Sequence, residues 1–147
     1  MSEITRARQM DVRHRARDQV VGLAAQFLFG MGIALIGQPS ETTGAAHTAS
    51  NVLLGLHVLL GALLVGGAGT VIRAARGGDR QRWLARWGAA AVVLTFGAGV
   101  TTLITKNDWW SYAMAVGFIS SLLVYVTLLV LATGARRSPE EAAAHPQ

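Results

Sequence analysis

Hydrophobic and polar positions fall into long blocks along this chain, not into short alternations. No charge occurs between Asp18 and Glu41, and Val20 to Gly37 is the apolar part. A second stretch without Asp, Glu, Lys or Arg lies between Glu41 and Arg73, apolar from about Asn51 to Ile72. A third runs from Trp87 to Thr105, bounded by Arg86 and Lys106, and a fourth from Trp109 to Thr133, between Asp108 and Arg136. A helix needs about 20 apolar residues to cross a hydrocarbon core of roughly 30 Å. Each run has that length, so the pattern predicts four membrane-spanning helices, at about 20–37, 51–72, 87–105 and 109–133. The runs lack period-2 alternation and are about twice as long as a barrel strand, which excludes a transmembrane β-barrel. The first run exceeds the 7–15 apolar residues of a signal-peptide core, so despite the small residues Gly44-Ala45-Ala46 it is expected to be a retained span.

The fold class that follows is all-α, an antiparallel four-helix membrane bundle. It divides the chain into a basic leader (1–18), the transmembrane domain (19–135) and a polar tail (136–147). The loop from Gln38 to Ser50 is rich in Ser, Thr, Gly and Pro, and the pattern makes it irregular, with Asn51 capping the second span. Lys106-Asn107-Asp108 reads as a tight turn with Asp108 as helix N-cap.

Orientation comes from arginine. Arg6, Arg8, Arg13, Arg15 and Arg17 precede the first span; Arg73, Arg76, Arg80, Arg82 and Arg86 separate the second from the third; Arg136 and Arg137 follow the fourth. The other two loops hold one basic residue, Lys106. Basic residues mark the cytoplasmic side, so both termini are expected to be cytoplasmic. Trp83 and Trp87 at the inner boundary, with Trp109, Trp110 and Tyr112 at the outer, match interfacial aromatic belts. The preference for Arg over Lys, with abundant Ala, Gly, Val and Leu, reads as the codon bias of a GC-rich bacterial genome, and the expected location is a bacterial inner membrane.

Composition narrows the function classes. The 147 residues are 52% hydrophobic and only 14% charged, against about 25% charged in a soluble domain. The net charge of +5 does not predict nucleic-acid binding, because the arginines flank apolar runs and leave no folded basic surface. The absence of cysteine removes disulfides, thiolate metal sites and cysteine nucleophiles. No Asp, Glu, Lys or Arg lies deep within a span, which disfavours ion-coupled transport through a membrane carboxylate.

Small residues recur at four-residue spacing: Gly22, Gln26, Gly30 and Ala34; Ala62, Gly66 and Thr70; Ala91, Thr95 and Gly99; Ala113, Gly117 and Ser121. Such rows let helix backbones approach closely in lipid. Gly22, Gly30, Gly66, Gly99 and Gly117 are therefore the candidate packing positions, within the chain or against a homo-oligomeric or other membrane partner. The polar groups within the spans that could line a path are Gln26, His57, Thr95, Thr101, Thr102, Ser120 and Ser121. His57 is the one ionisable residue there. It is read first as a helix-to-helix hydrogen-bonding group, and alternatively, with Met114 at similar depth and Gly61 leaving room for a flat ring, as a ligand of haem b or a quinone. Glu41, His47, Asp108 and Ser111 share the outer face without metal-site spacing. No catalytic constellation is present, and an enzyme is the weaker expectation. The pattern best fits an accessory or structural subunit of a larger membrane assembly; the alternatives are a small oligomeric transporter or channel and a His57-based electron carrier.

Overall fold

The computed structural model describes residues 3–75 and 78–134. It is all-helical over them, with no strand among the described residues: α1 Glu3–Ile36, a one-turn 3-10 segment Pro39–Glu41, α2 Gly44–Ala74, α3 Asp79–Thr105 and α4 Asp108–Gly134. All four α-helices are long and apolar enough to cross a membrane. The tail 136–147, with Arg136 and Arg137, and Arg76 and Gly77 in the basic loop lie outside the described residues.

Two boundaries differ from the sequence-based expectation. Over the described residues the basic leader and the first span belong to one helix: α1 has 34 residues and is about 51 Å long at 1.5 Å per residue. It ends where Gly37 takes φ +99 and donates its N–H to the Ile33 carbonyl at 2.9 Å. That is a left-handed C-terminal cap, which glycine adopts without steric cost. The loop predicted between Gln38 and Ser50 is shorter than expected, because α2 already begins at Gly44. Asn51 is thus inside the helix and caps nothing. Ser50 carries the polar work instead: fully buried, its hydroxyl donates to the Gly37 carbonyl at 2.6 Å and satisfies an acceptor that the end of α1 leaves open. His47 reaches back through Nδ1 to the Pro39 carbonyl at 2.8 Å. At the start of α4 the cap falls one residue before the expected Asp108, since the Asn107 side-chain oxygen accepts the Trp109 N–H at 3.0 Å.

The helices pack in a ring. α1 lies against α2 and α4, and α3 lies against α2 and α4; the diagonal pairs α1–α3 and α2–α4 do not pack among the described residues. Along the α1–α2 and α3–α4 seams the contacts climb one helix as they descend its neighbour. Gly22, Gln26 and Gly30 of α1 meet Leu64, Gly61 and His57 of α2, while Gly88, Thr95 and Gly99 of α3 meet Tyr125, Gly117 and Met114 of α4.

Many large apolar side chains face out, while the interior mixes small residues with a few large ones. Ala16, Leu23, Leu64, Val71, Ala75, Ala85, Val92, Tyr125 and Leu128 form the buried cluster. Leu35, Leu94 and Ile104 are 82%, 71% and 76% exposed. Water would penalise such a surface by about 25 cal/mol for each Å² of apolar area left exposed. Lipid does not, and in lipid it is close backbone approach at small residues that holds helices together.

Candidate functional site

The most polar part of the interior is the seam between α1 and α2. Three polar side chains there each sit on a glycine of the opposite helix. Gln19 lies on Gly67, Gln26 on Gly61 and His57 on Gly30. The Gln26 amide nitrogen is 3.3 Å from where a Gly61 Cβ would stand, and His57 Cε1 is 3.3 Å from that point on Gly30. Gln19 is almost fully buried, and its amide donates to the Leu64 carbonyl at 3.1 Å across the seam. In lipid such an interhelical bond contributes about 0.6 kcal/mol on average. The seam therefore combines two devices: glycines that admit a polar side chain, and a side chain that bonds the facing backbone.

The expected site residues are distributed as follows. Gln26 and His57 come together on this seam with Gly22 and Gly30, and Leu64 covers Gly22. Thr95 and Gly117 meet each other between α3 and α4, and the Met114 sulfur lies 3.1 Å from where a Gly99 Cβ would stand. Gly66 is turned away from the bundle, with nothing within 4 Å of its Cβ position. The interior glycines of α2 are Gly61 and Gly67, because the helix is rotated so that the row Ala62–Gly66 points outward. Ser120 is exposed and Ser121 buried. Every candidate hydroxyl bonds its own helix: Thr95 to Ala91, Thr101 to Gly97, Thr102 to Ala98, Ser120 to Val116 and Ser121 to Gly117, at 2.7–2.9 Å. This back-bonding consumes the hydroxyl donors locally.

His57 and Met114 belong to α2 and α4, a diagonal pair that does not pack. Each is seated on a neighbouring helix, the imidazole on Gly30 of α1 and the sulfur on Gly99 of α3. The room that Gly61 offers a flat ring is taken by Phe96, whose Cδ2 is 2.9 Å from the Gly61 Cβ position. Among the described residues no group of three or more His, Cys, Asp or Glu side chains could hold a metal ion.

Sequence reasoning missed Gln19 and Tyr125. Gln19 lies one residue before the apolar window, next to Asp18, and Tyr125 stands among aliphatic residues with only its ring to mark it. Tyr125 is fully buried and packs on Gly88 with Cζ 3.0 Å from the Cβ position. Gln19 Oε1, Gln26 Oε1, His57 Nδ1 and the Tyr125 hydroxyl have no hydrogen-bond partner among the described protein groups.

Outside the apolar spans, Arg13 and Arg17 of α1, Arg73 of α2, and Arg80, Arg82 and Arg86 of α3 are exposed. The ion pair among the described residues is Arg15–Asp11 at 2.7 Å. Trp83 and Trp87 stand one turn apart on the outside of α3, ring centroids 5.7 Å apart and edge to face. Comparison with known protein families, curated proteins and solved structures finds no match to this chain.

Proposed function

We propose that this chain is an accessory or structural subunit of a larger membrane assembly, an antiparallel four-helix bundle in a bacterial inner membrane with both termini cytoplasmic. The antiparallel order draws on the reversed run of contacts along the α1–α2 and α3–α4 seams. The orientation draws on twelve arginines in alternate segments against one lysine in the others.

The observation that carries the subunit reading is the outer face of α2. Gly55, Ala62, Gly66 and Gly69 fall on one line along that helix, and the three glycines have open space beyond them. Against lipid such a row gains nothing. Against a second helix it permits backbone contact and the dispersion that comes with it. The transporter alternative draws less support, since the hydroxyls that would line its path are bonded to their own helices. The electron-carrier alternative loses the slot that Phe96 occupies beside Gly61.

The test is to extract the tagged protein from its native membranes in mild detergent and compare it with a Gly66→Leu variant. A subunit comigrates with a defined, larger set of membrane proteins, and Gly66→Leu loses them while its own bundle unfolds at the same detergent strength. A lone monomer, or partners retained in full by the variant, would overturn the reading.

A further inference from the structure

The beginning of α3 carries two adjoining rows with complementary chemistry. Arg82 and Arg86 are one turn apart, both exposed, and neither has a carboxylate oxygen within 4 Å among the described residues. Asp79, one turn before Arg82 in the first turn of the helix, does not neutralise it. Like charges at this spacing repel, so the pair is stabilised by an anion lying across it. The next row holds Trp83 and Trp87, 59% and 56% exposed. Ala90 and Leu94 continue that row outward along the apolar part of the helix, both exposed. Trp87 is also where the charge-free window begins, which puts the indoles at the change from charged to apolar surface.

From these rows we propose that the first three turns of α3 form a binding site for the headgroup of an anionic phospholipid. Arg82 and Arg86 hold the phosphate through charge-assisted, bidentate-capable guanidinium contacts. The two indoles lie against the glycerol region, where amphipathic rings are favoured, and the acyl chains run along Ala90 and Leu94. A zwitterionic lipid carries its own cation to the same place and leaves the arginine pair unneutralised, so the site selects net negative charge. Arg73 and Arg80 reinforce that selection at longer range.

The inference rests on the membrane-spanning reading and not on the assembly that the extraction experiment tests, so either can fail without the other. Protein reconstituted in nanodiscs of equal phosphatidylglycerol and phosphatidylcholine is released into the gas phase, and the lipids that remain bound are counted by mass. Wild type retains the anionic lipid preferentially. Arg82→Gln/Arg86→Gln lowers that preference about 30-fold, the value expected for two arginines near a membrane surface, with helix content unchanged by circular dichroism. Arg13→Gln/Arg17→Gln removes the same charge from α1 and keeps the preference. Equal losses in the two variants would reduce the site to diffuse attraction and overturn it, as would wild type without any preference. Displacement of the lipid by inorganic phosphate would also overturn it, because the site would then be one for free phosphate.

Discussion

Replacing Gly61 by alanine tests how the bundle is held, because Gly66 offers a matched control one turn and a residue away on the same helix. A Cβ on Gly61 would stand 2.9 and 3.1 Å from two ring carbons of Phe96 and 3.3 Å from the Gln26 amide nitrogen. Optimal carbon contacts lie at about 3.5–4.0 Å, so the ring must retreat by roughly half an ångström or more. It cannot retreat freely, since Phe96 belongs to α3 and Gln26 to α1, and moving α2 away from one neighbour presses it on the other. Overpacking of this kind costs about 1–3 kcal/mol. The usual helix-propensity gain of alanine over glycine, about 1 kcal/mol in water, largely cancels here because the helices persist in the dissociated state within a bilayer. Gly61→Ala should therefore destabilise the bundle by about 1–2 kcal/mol, a factor of about 5–30 in its folding equilibrium. Gly66→Ala, with nothing within 4 Å, should stay within about 0.5 kcal/mol. Titration from a mild detergent into dodecyl sulfate, followed by tryptophan fluorescence and helix content, measures both. Equal destabilisation of the two variants, or no effect of Gly61→Ala, would refute the argument that three helices meet at Gly61.

The remaining expectations are brief. Tyr125→Phe removes a fully buried hydroxyl that has no partner among the described protein groups; it should be neutral or stabilising by up to about 1 kcal/mol in the same titration, and a clear loss would reveal a bond that the hydroxyl makes in the membrane. Gln19→Met keeps the shape of the side chain and deletes its bond to the Leu64 carbonyl, so it should cost about 0.6 kcal/mol; a cost above about 2 kcal/mol would make this seam the anchor of the fold. Proteoliposomes should show no ion flux above empty vesicles, because Thr95 and Ser121 spend their hydroxyls on Ala91 and Gly117, and flux reduced by Thr95→Val would count against a filled interior. Protein grown with ample haem should be colourless, and a visible band lost in His57→Ala would restore the cofactor reading despite Phe96 beside Gly61.

How much of this was legible in the sequence follows from what each signal measures. The four helices were legible because a charge-free run of about 20 residues has few other uses. Their ends were not, because the segments that extend them are helical for other reasons. Gly44 to Ser50 reads as loop by its Ser, Thr and Gly content, yet Ala45 and Ala46 favour helix and Ser50 is needed to bond the Gly37 carbonyl. Residues 3–18 carry charge that has no place in lipid, and charge does not prevent a helix from continuing beyond the membrane. Of the candidate site residues, Gln26 and His57 do share one seam, but the sequence had no way to seat them on Gly61 and Gly30.

The rotation of α2 decides which of the two roles open to its small-residue row, packing inside the bundle or against a partner, the row can take. Gly61, Gly66, Gly67 and Gly69 lie within nine residues, so small-residue spacing alone permits several faces and the row through Gly66 was the longest. What selects the inward face is the bulk that the neighbours bring to it. Leu64 must fill the notch at Gly22, His57 the notch at Gly30, and the Gln19 side chain needs Gly67 open beneath it. These three requirements fall on one side of α2, and satisfying them leaves Ala62 and Gly66 on the other. The row through Gly66 is thus left with open space on the outer side of α2, where a further helix can approach closely, and this is why the outer face of α2, not the interior, carries the proposed assembly.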